Sequence, residues 1–117
     1  MPYTLNEQLN EFLVAVRTCL GESMKGVILY GSYARGDYNE HSDIDIMILV
    51  DIKEEEIHHF ENAIYDSAFD SEMKYGKSLS PVIKNAKQFE YWSDTLPFYR
   101  NIVKEGIKVA WVTKVKN

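Results

Sequence analysis

The sequence is poor in cysteine and proline and contains no long apolar run. Cys19 is the only cysteine, so a disulfide within the chain is excluded. It lies among Leu13, Val16 and Leu20, where a small buried side chain is the simplest interpretation. No apolar run approaches the roughly 20 residues that a membrane helix needs. The first residues, MPYTLNEQLNEF, lack the basic start and apolar core of a signal peptide. These absences predict a cytoplasmic protein without a membrane partner.

Basic residues are also in the minority. The chain has 13 Lys and Arg against 18 Asp and Glu, a net charge of -5. This balance opposes non-specific binding to nucleic acid, although a local basic pocket for one nucleotide is compatible with it. With 117 residues there is room for one hydrophobic core, and we expect one domain over residues 1–117. An enzyme of this size has little room for a separate substrate domain, so a substrate or partner must complete its site.

The apolar residues follow helix and strand periods in turn. A stripe from Leu5 to Leu20 predicts a first helix that stops at Gly21. Val27–Tyr30 predicts a strand, and Ile46–Val50 predicts a second strand that is covered on both faces, because its apolar residues do not alternate. The later segments predict a helix within 54–73, an edge strand at 78–84, short helices within 87–94 and 95–106, and a strand from 107. We therefore expect an α+β fold, with helices packed on a small mixed sheet.

A Gly-Ser pair stands between the first strand and a segment that can begin a helix. Gly31 has no side chain, so a ligand can approach its backbone closely. The free amide groups of a helix start attract phosphate, and the Ser32 hydroxyl can add a hydrogen bond. Arg35, one turn further on, can also reach a phosphate. Taken alone, this pattern is a weak signal, because the same residues more often form only a tight turn.

Two carboxylates, Asp43 and Asp45, stand at the entrance to the second strand. Alternate residues of a strand point to one face, so both carboxylates project together while Ile44 and Ile46 face the other way. Two anions this close repel each other unless a cation lies between them. Mg²⁺ takes carboxylate and phosphate oxygens together, and plain solvent exposure is the alternative. If the two strands are neighbours, a phosphate element and a metal element lie side by side.

Gly31-Ser32, ten further residues and then Asp43-Ile44-Asp45 resemble the signature of the nucleotidyltransferase superfamily, which has the DNA polymerase β-like palm fold. The stretch GSYARGDYNEHSDIDIMILVD is most similar to the minimal nucleotidyltransferases, which are commonly paired with a helical HEPN-domain protein as toxin–antitoxin modules. The resemblance implies transfer of a nucleoside monophosphate from an NTP, with ATP the first choice, to a hydroxyl acceptor on a partner protein.

The same resemblance implies roles for individual residues. Gly31 and Ser32 would hold the phosphates, and Asp43 and Asp45 would be the catalytic residues that bind Mg²⁺. Two metals would stabilise the attacking and leaving oxygens of an in-line displacement. Arg35 is added as a nucleotide-binding residue because of its position one turn after the Gly-Ser pair.

One part of the family pattern is missing. Active members usually carry a third carboxylate on a later strand, but the strand here reads KSLSPVIKN, and Ser80 stands about where the acid belongs. Asp37 could approach the metals from the motif loop, whereas Asp66, Asp70 and Glu72 are most simply surface charges. Two interpretations stay open: transfer by two aspartates, or a nucleotide-binding antitoxin subunit that acts by contact. A third, transfer to a small-molecule hydroxyl of the antibiotic type, is disfavoured by the missing substrate domain.

Aromatic residues gather in the C-terminal third of the chain. Trp111 follows five that lie close together: Phe89, Tyr91, Trp92, Phe98 and Tyr99. A small domain cannot easily bury all of them, and aromatic side chains dominate interface anchors. They predict either core packing or a surface for a HEPN-type partner or a second copy of the chain. Tyr33 and Tyr38 lie in the loop that follows the Gly-Ser pair and predict either stacking on a base or partial burial.

Overall fold

The protein is described by a computed structural model that covers residues 3–111, with side chains over residues 5–109. Each helix and strand expected from the sequence is present, and β1 begins three residues earlier than expected. In chain order the elements are α1 Tyr3–Leu20, β1 Met24–Tyr30, α2 Ser32–Arg35, β2 Ile44–Val50, α3 His58–Tyr75, β3 Leu79–Asn85, α4 Ala86–Trp92, α5 Pro97–Glu105 and β4 Ile107–Trp111. Single turns of 3-10 helix at Gly21–Ser23 and Glu54–Glu56 precede β1 and α3.

Four strands form one mixed sheet in the order β3-β2-β1-β4. β1 is antiparallel to both of its neighbours, whereas β2 and β3 are parallel. Parallel pairing needs a crossover connection, which α3 supplies. β2 is buried throughout except at Asp45, which confirms the expectation of a strand covered on both faces. β3 lies at an edge of the sheet, where Pro81 can be accommodated because its missing amide costs no ladder hydrogen bond on the outer side.

Helices cover both faces of the sheet. α1 and α3 bury one side of each helix against the face that carries Ile44, Ile46 and Ile48. Full burial of one aliphatic side chain contributes roughly 1.5–3 kcal/mol to the stability of the fold. Because this layer buries more side chains than the layer on the other face, it provides most of that stabilisation. α4 and α5 cover the other face with a smaller cluster: Ile28, Met47, Leu49, Phe89 and Ile102. In the part of the chain that the structure describes, no helix is both long and apolar enough to cross a membrane.

The C-terminal aromatic residues divide between core and surface. Phe89 is buried in the smaller cluster, and Tyr99 packs against it with ring centroids 5.1 Å apart. Tyr91 and Phe98 remain 74% and 51% exposed. The side chain of Trp111 lies outside the described residues. Core packing is thus confirmed for Phe89, whereas a partner surface stays a prediction for the exposed members.

Candidate functional site

The two halves of the motif meet because β1 and β2 are adjacent. Tyr30, the last residue of β1, pairs with Asp45, the second residue of β2. The chain turns at Gly31 immediately after this pair, and α2 starts at Ser32. The Gly-Ser turn therefore lies directly beside one of the two carboxylates, as expected if the strands are neighbours.

Gly31 satisfies two constraints that exclude a side chain. Its backbone angles are φ 76° and ψ -155°, a conformation that is essentially restricted to glycine. A β-carbon built there would collide with Oδ2 of Asp45, and it would lie 3.1 Å from Cγ of the same residue. The turn and the carboxylate are thus packed against each other, and only glycine permits that packing.

α2 is a single turn that begins at this glycine. The Gly31 carbonyl accepts hydrogen bonds from the amides of Ala34 and Arg35, both at 3.1 Å. Gly36, in the left-handed region at φ 90°, ends the helix. A turn of this length leaves the amides of its first residues without intrahelical acceptors. These amides and the Ser32 hydroxyl are groups that can bind a phosphate.

Asp45 lies in β2, and Asp43, just before the strand, is close enough for its charge to act on Asp45. Ile44 and Ile46 belong to the core on the opposite face of the sheet, so Asp45 projects toward the face that α4 and α5 cover. Asp43 is exposed just before the strand, and Asp45 is half-buried. Burial, followed by repulsion from Asp43, raises the pKa of Asp45, and Arg35 offsets part of the rise. A half-buried carboxylate with an anionic neighbour is a donor set that suits a hard divalent cation.

Among the described residues, no third acidic side chain is grouped with this pair. In residues 3–111 no group of three or more His, Cys, Asp and Glu side chains is placed to hold a metal. The register of the parallel strands puts Ser80 of β3 opposite Asp45. Asp37 is paired with Arg35 rather than with the aspartates. Asp66 and Asp70 are exposed on α3, which packs on the opposite face of the sheet.

Arg35 connects α2 to the helix that faces it. Its Nε lies 3.3 Å from Oδ2 of Asp37, and its Nη1 lies 3.5 Å from Oε1 of Glu105 in α5. All three side chains are substantially exposed, so these ion pairs contribute little to stability. Their effect is positional, because they hold a guanidinium group at the mouth of the site.

The site has a wall that the motif did not identify. A cleft of about 400 Å³ is lined by Tyr30, Gly31, Ser32, Arg35, Asp45, Phe98, Asn101, Ile102 and Glu105. Four of these residues come from α5, and Asp43 does not line the cleft. The volume is within the range of about 300–1,000 Å³ that is typical of small-molecule sites. Helical periodicity groups Phe98, Asn101 and Glu105 on one face of α5, but only the packing of α5 on β1 reveals that this face belongs to the site.

Tyrosines around the turn have different environments. Burial, and then the charge of Asp45, raise the pKa of Tyr30 to about 12, so its phenol stays protonated at neutral pH. Tyr33 is buried in the larger core and stacks on Tyr38 with ring centroids 4.3 Å apart. Burial is therefore confirmed for Tyr33, and its ring is not available for stacking on a base.

Comparison with known proteins agrees with this geometry. The family described as "Nucleotidyltransferase domain" matches residues 9–110. Two proteins of Methanocaldococcus jannaschii are similar over nearly their whole length. "Putative protein adenylyltransferase MJ0604" is 36% identical over 107 residues, which cover 87% of this chain and 96% of that protein. "Putative protein adenylyltransferase MJ0141" is 42% identical over 111 residues, which cover 95% of this chain and 91% of that protein.

Solved structures of low sequence identity share the fold. A mutant of the toxin–antitoxin pair MntA-HpeT superposes with a TM-score of 0.55 at 14% identity, over 86% of this chain and 71% of that one. A toxin–antitoxin structure with AMP-PNP gives a TM-score of 0.54 at 15% identity, over 86% of this chain and 72% of that one. The family match spans most of the chain and includes the whole motif. The chain therefore belongs to the nucleotidyltransferase domain family and is a nucleotidyltransferase.

Proposed function

We propose that this nucleotidyltransferase moves AMP from ATP to a hydroxyl group of a partner protein, and that it depends on Mg²⁺. The observation that carries the proposal is the packing of the Gly31 turn against Asp45, which places phosphate-binding groups beside an acidic pair. The choice of AMP and of a protein acceptor is supported by the two relatives named as protein adenylyltransferases, each covered over more than nine-tenths of its length.

The proposal gives each site residue a task. The amides at the start of α2 and the Ser32 hydroxyl bind and orient the triphosphate, and Arg35 adds a charge-assisted hydrogen bond to a phosphate oxygen. Asp43 and Asp45 would hold Mg²⁺, which when bound neutralises charge on the phosphate oxygens. The acceptor oxygen then forms a bond to the α-phosphorus and its proton is released to water, while the bond from the α-phosphorus to the pyrophosphate oxygen breaks and pyrophosphate leaves. Positioning and charge neutralisation carry most of the rate enhancement in such a site.

The partner that we propose is a HEPN-type protein. Support comes from the solved structures of similar fold, which are toxin–antitoxin assemblies, one of them with AMP-PNP. Phe98 of α5 is 51% exposed and lines the cleft, so it offers an aromatic surface beside the site on which such a partner can present a hydroxyl. The proposal also places the reaction in the cytoplasm, where ATP and Mg²⁺ are abundant.

A second candidate is an antitoxin subunit that binds nucleotide and acts on its partner by contact alone. The position of Ser80 opposite Asp45 favours it, because a hydroxyl replaces the third acid of active family members. We rank transfer first because both Asp43 and Asp45 are present, and a bound cation would relieve the unfavourable environment in which Asp45 is held at neutral pH. Transfer to a small-molecule hydroxyl has no observation in its favour.

A labelling experiment separates these candidates. The chain is incubated with Mg²⁺, ATP labelled at the α-phosphate and a HEPN-type protein as the proposed partner, and label on either protein is measured. A double variant, Asp43→Asn with Asp45→Asn, tests the site. The matched control is Asp66→Asn with Asp70→Asn, which removes the same charge from exposed positions on α3.

We expect label on the partner with the wild type and the α3 control, and none with the site variant. If the wild type, the site variant and the α3 control all neutralise the partner and none of them labels it, the result would contradict transfer and support action by contact.

A further inference from the structure

We propose that Phe98 and Asn101 of α5 bind the adenine ring and so set the base preference of the enzyme. The inference rests on the proposed function, because it assigns the half of the same cleft that the family motif leaves unassigned. It depends on the contacts of Phe98, on the Asn101 amide, which makes no side-chain hydrogen bond within the described residues, and on the length of the α5 face that lines the cleft.

Phe98 presents an apolar ring to the cleft. Its ring lies edge-on to Tyr30 at 5.9 Å between centroids and 84° between planes, and it contacts Tyr99 at 5.9 Å. These two neighbours fix the ring while leaving Phe98 51% exposed in the cleft wall. Because Tyr30 directly precedes Gly31, this ring is anchored one residue from the phosphate-binding turn. A fixed, half-exposed aromatic ring is a surface on which a base can stack.

Asn101 adds a polar group one turn further along α5. It lines the same cleft and is exposed, and its side chain makes no hydrogen bond to any residue in the described part of the chain. The Asn85 side chain, by contrast, donates a hydrogen bond to the Ile52 carbonyl and accepts one from the Gln88 amide. A carboxamide offers one donor and one acceptor side by side, which matches N7 and the N6 amino group of adenine. Guanine presents two acceptors on that edge, so the amide discriminates between the two purines.

The α5 face that lines the cleft, from Phe98 to Glu105, is about as long as a nucleotide. Glu105, at the far end of the same helical face, is paired with Arg35 at the phosphate side. From Phe98 to Glu105 the helix rises about 10 Å over seven residues, which is comparable to the span from the α-phosphate to the far edge of a base. Arg35 and the aromatic ring thus lie toward opposite ends of the α5 face that lines the cleft, and the Gly31 turn adjoins the ring through Tyr30.

Binding measurements on the full chain test this assignment. Dissociation constants are measured in Mg²⁺ for ATP, GTP and inorganic tripolyphosphate, with the wild type and with Phe98→Leu, Asn101→Leu and Tyr91→Leu. Tyr91 is the matched aromatic control, since it is 74% exposed and does not line the cleft. Both test positions are exposed, and unchanged thermal unfolding confirms that each variant is folded.

We expect the wild type to bind ATP more tightly than tripolyphosphate and more tightly than GTP. Phe98→Leu should weaken ATP binding by about fivefold to a hundredfold, the effect of removing one stacking partner, without changing tripolyphosphate binding. Asn101→Leu should remove the preference for ATP over GTP. Tyr91→Leu should bind all three as the wild type does.

Two results overturn the inference and are distinguishable. If tripolyphosphate and ATP bind equally, or if both cleft variants keep the wild-type difference between them, the base lies elsewhere and the proposed function stands. If neither ligand binds to the wild type, the proposed function fails and this inference fails with it.

Discussion

Gly31 is the residue on which the geometry of the site depends most strongly. An alanine at this position would have to adopt a backbone conformation that is essentially restricted to glycine, and its β-carbon would collide with the Asp45 carboxylate. We expect Gly31→Ala to lower the free energy of unfolding by about 3 kcal/mol or more and to abolish nucleotide binding. Chemical denaturation and ATP titration measure the two effects.

The matched control for Gly31 is Gly76→Ala. Gly76 also has a positive φ, 79°, but a β-carbon there meets nothing within 4 Å. It should cost only about 1 kcal/mol and leave ATP binding intact. Equal losses at the two glycines would show that contact with Asp45 is unimportant.

Burial and repulsion from Asp43 make the charged form of Asp45 unfavourable in the folded protein, which lowers the stability of the fold at neutral pH. Its folded pKa is raised above the ordinary value of 3.8, so the folded protein binds the proton more readily than the unfolded chain does. The resulting penalty is absent well below pH 3.8, grows as the pH rises through the folded pKa and is complete at neutral pH. Without divalent cations at pH 7, Asp45→Asn should therefore be more stable than the wild type and unfold at a higher Tm.

Thermal unfolding at pH 7 and pH 3.5 measures this difference, which should shrink at the lower pH. Asp66→Asn, an exposed acid on α3, is the control and should change little. A lower Tm for Asp45→Asn at pH 7 would contradict the account of an unfavourably placed carboxylate.

At the scale of elements, periodicity within one element was readable from the sequence and contact between elements was not. The stripe of α1 and the unbroken apolar run of β2 each predicted its own burial, and both predictions are confirmed. The role of α5 was not predicted, because Phe98, Asn101 and Glu105 become site residues only through packing on β1. The proximity of Gly31 and Asp45 depended in the same way on the pairing of β1 with β2.

The register of β3 leads to a gain-of-function prediction. Ser80 faces Asp45 across the parallel ladder, so Ser80→Asp adds a third carboxylate beside the existing pair. In the absence of metal the variant should be less stable, because three anions repel one another. With Mg²⁺ it should bind the cation at least about tenfold more tightly than the wild type, since another hard oxygen ligand becomes available. Calorimetric titration with Mg²⁺ measures the change.

Ser80→Asn is the neutral control of nearly the same size and should leave Mg²⁺ affinity close to that of the wild type. If Ser80→Asp behaves like Ser80→Asn, β3 does not contribute to the metal-binding side of the site.

At the scale of the whole molecule, one face of the sheet carries most of the core and the other face carries the candidate site. The α1 and α3 face carries the larger core, whereas the α4 and α5 face carries the cleft and the smaller cluster. Exposed apolar side chains occur on both sides: Tyr65, Phe69 and Met73 lie four residues apart on α3, and Tyr91, Trp92 and Val103 lie on α4 and α5. Two such surfaces are compatible with a heterologous partner and with a second copy of the chain. The homo-oligomer therefore stays a prediction.

The central claim is that one nucleotide site is built from the Gly31 turn and the aspartate pair. Thermal unfolding with ATP and Mg²⁺ tests it most directly, because a ligand at 100 times its Kd stabilises the folded state by about 2.7 kcal/mol. The account predicts a rise in Tm of several degrees that requires both ATP and Mg²⁺. The rise should be absent in the Asp43→Asn, Asp45→Asn double variant and present in the Asp66→Asn, Asp70→Asn control. No rise in the wild type, or an equal rise in the site variant, would contradict the account.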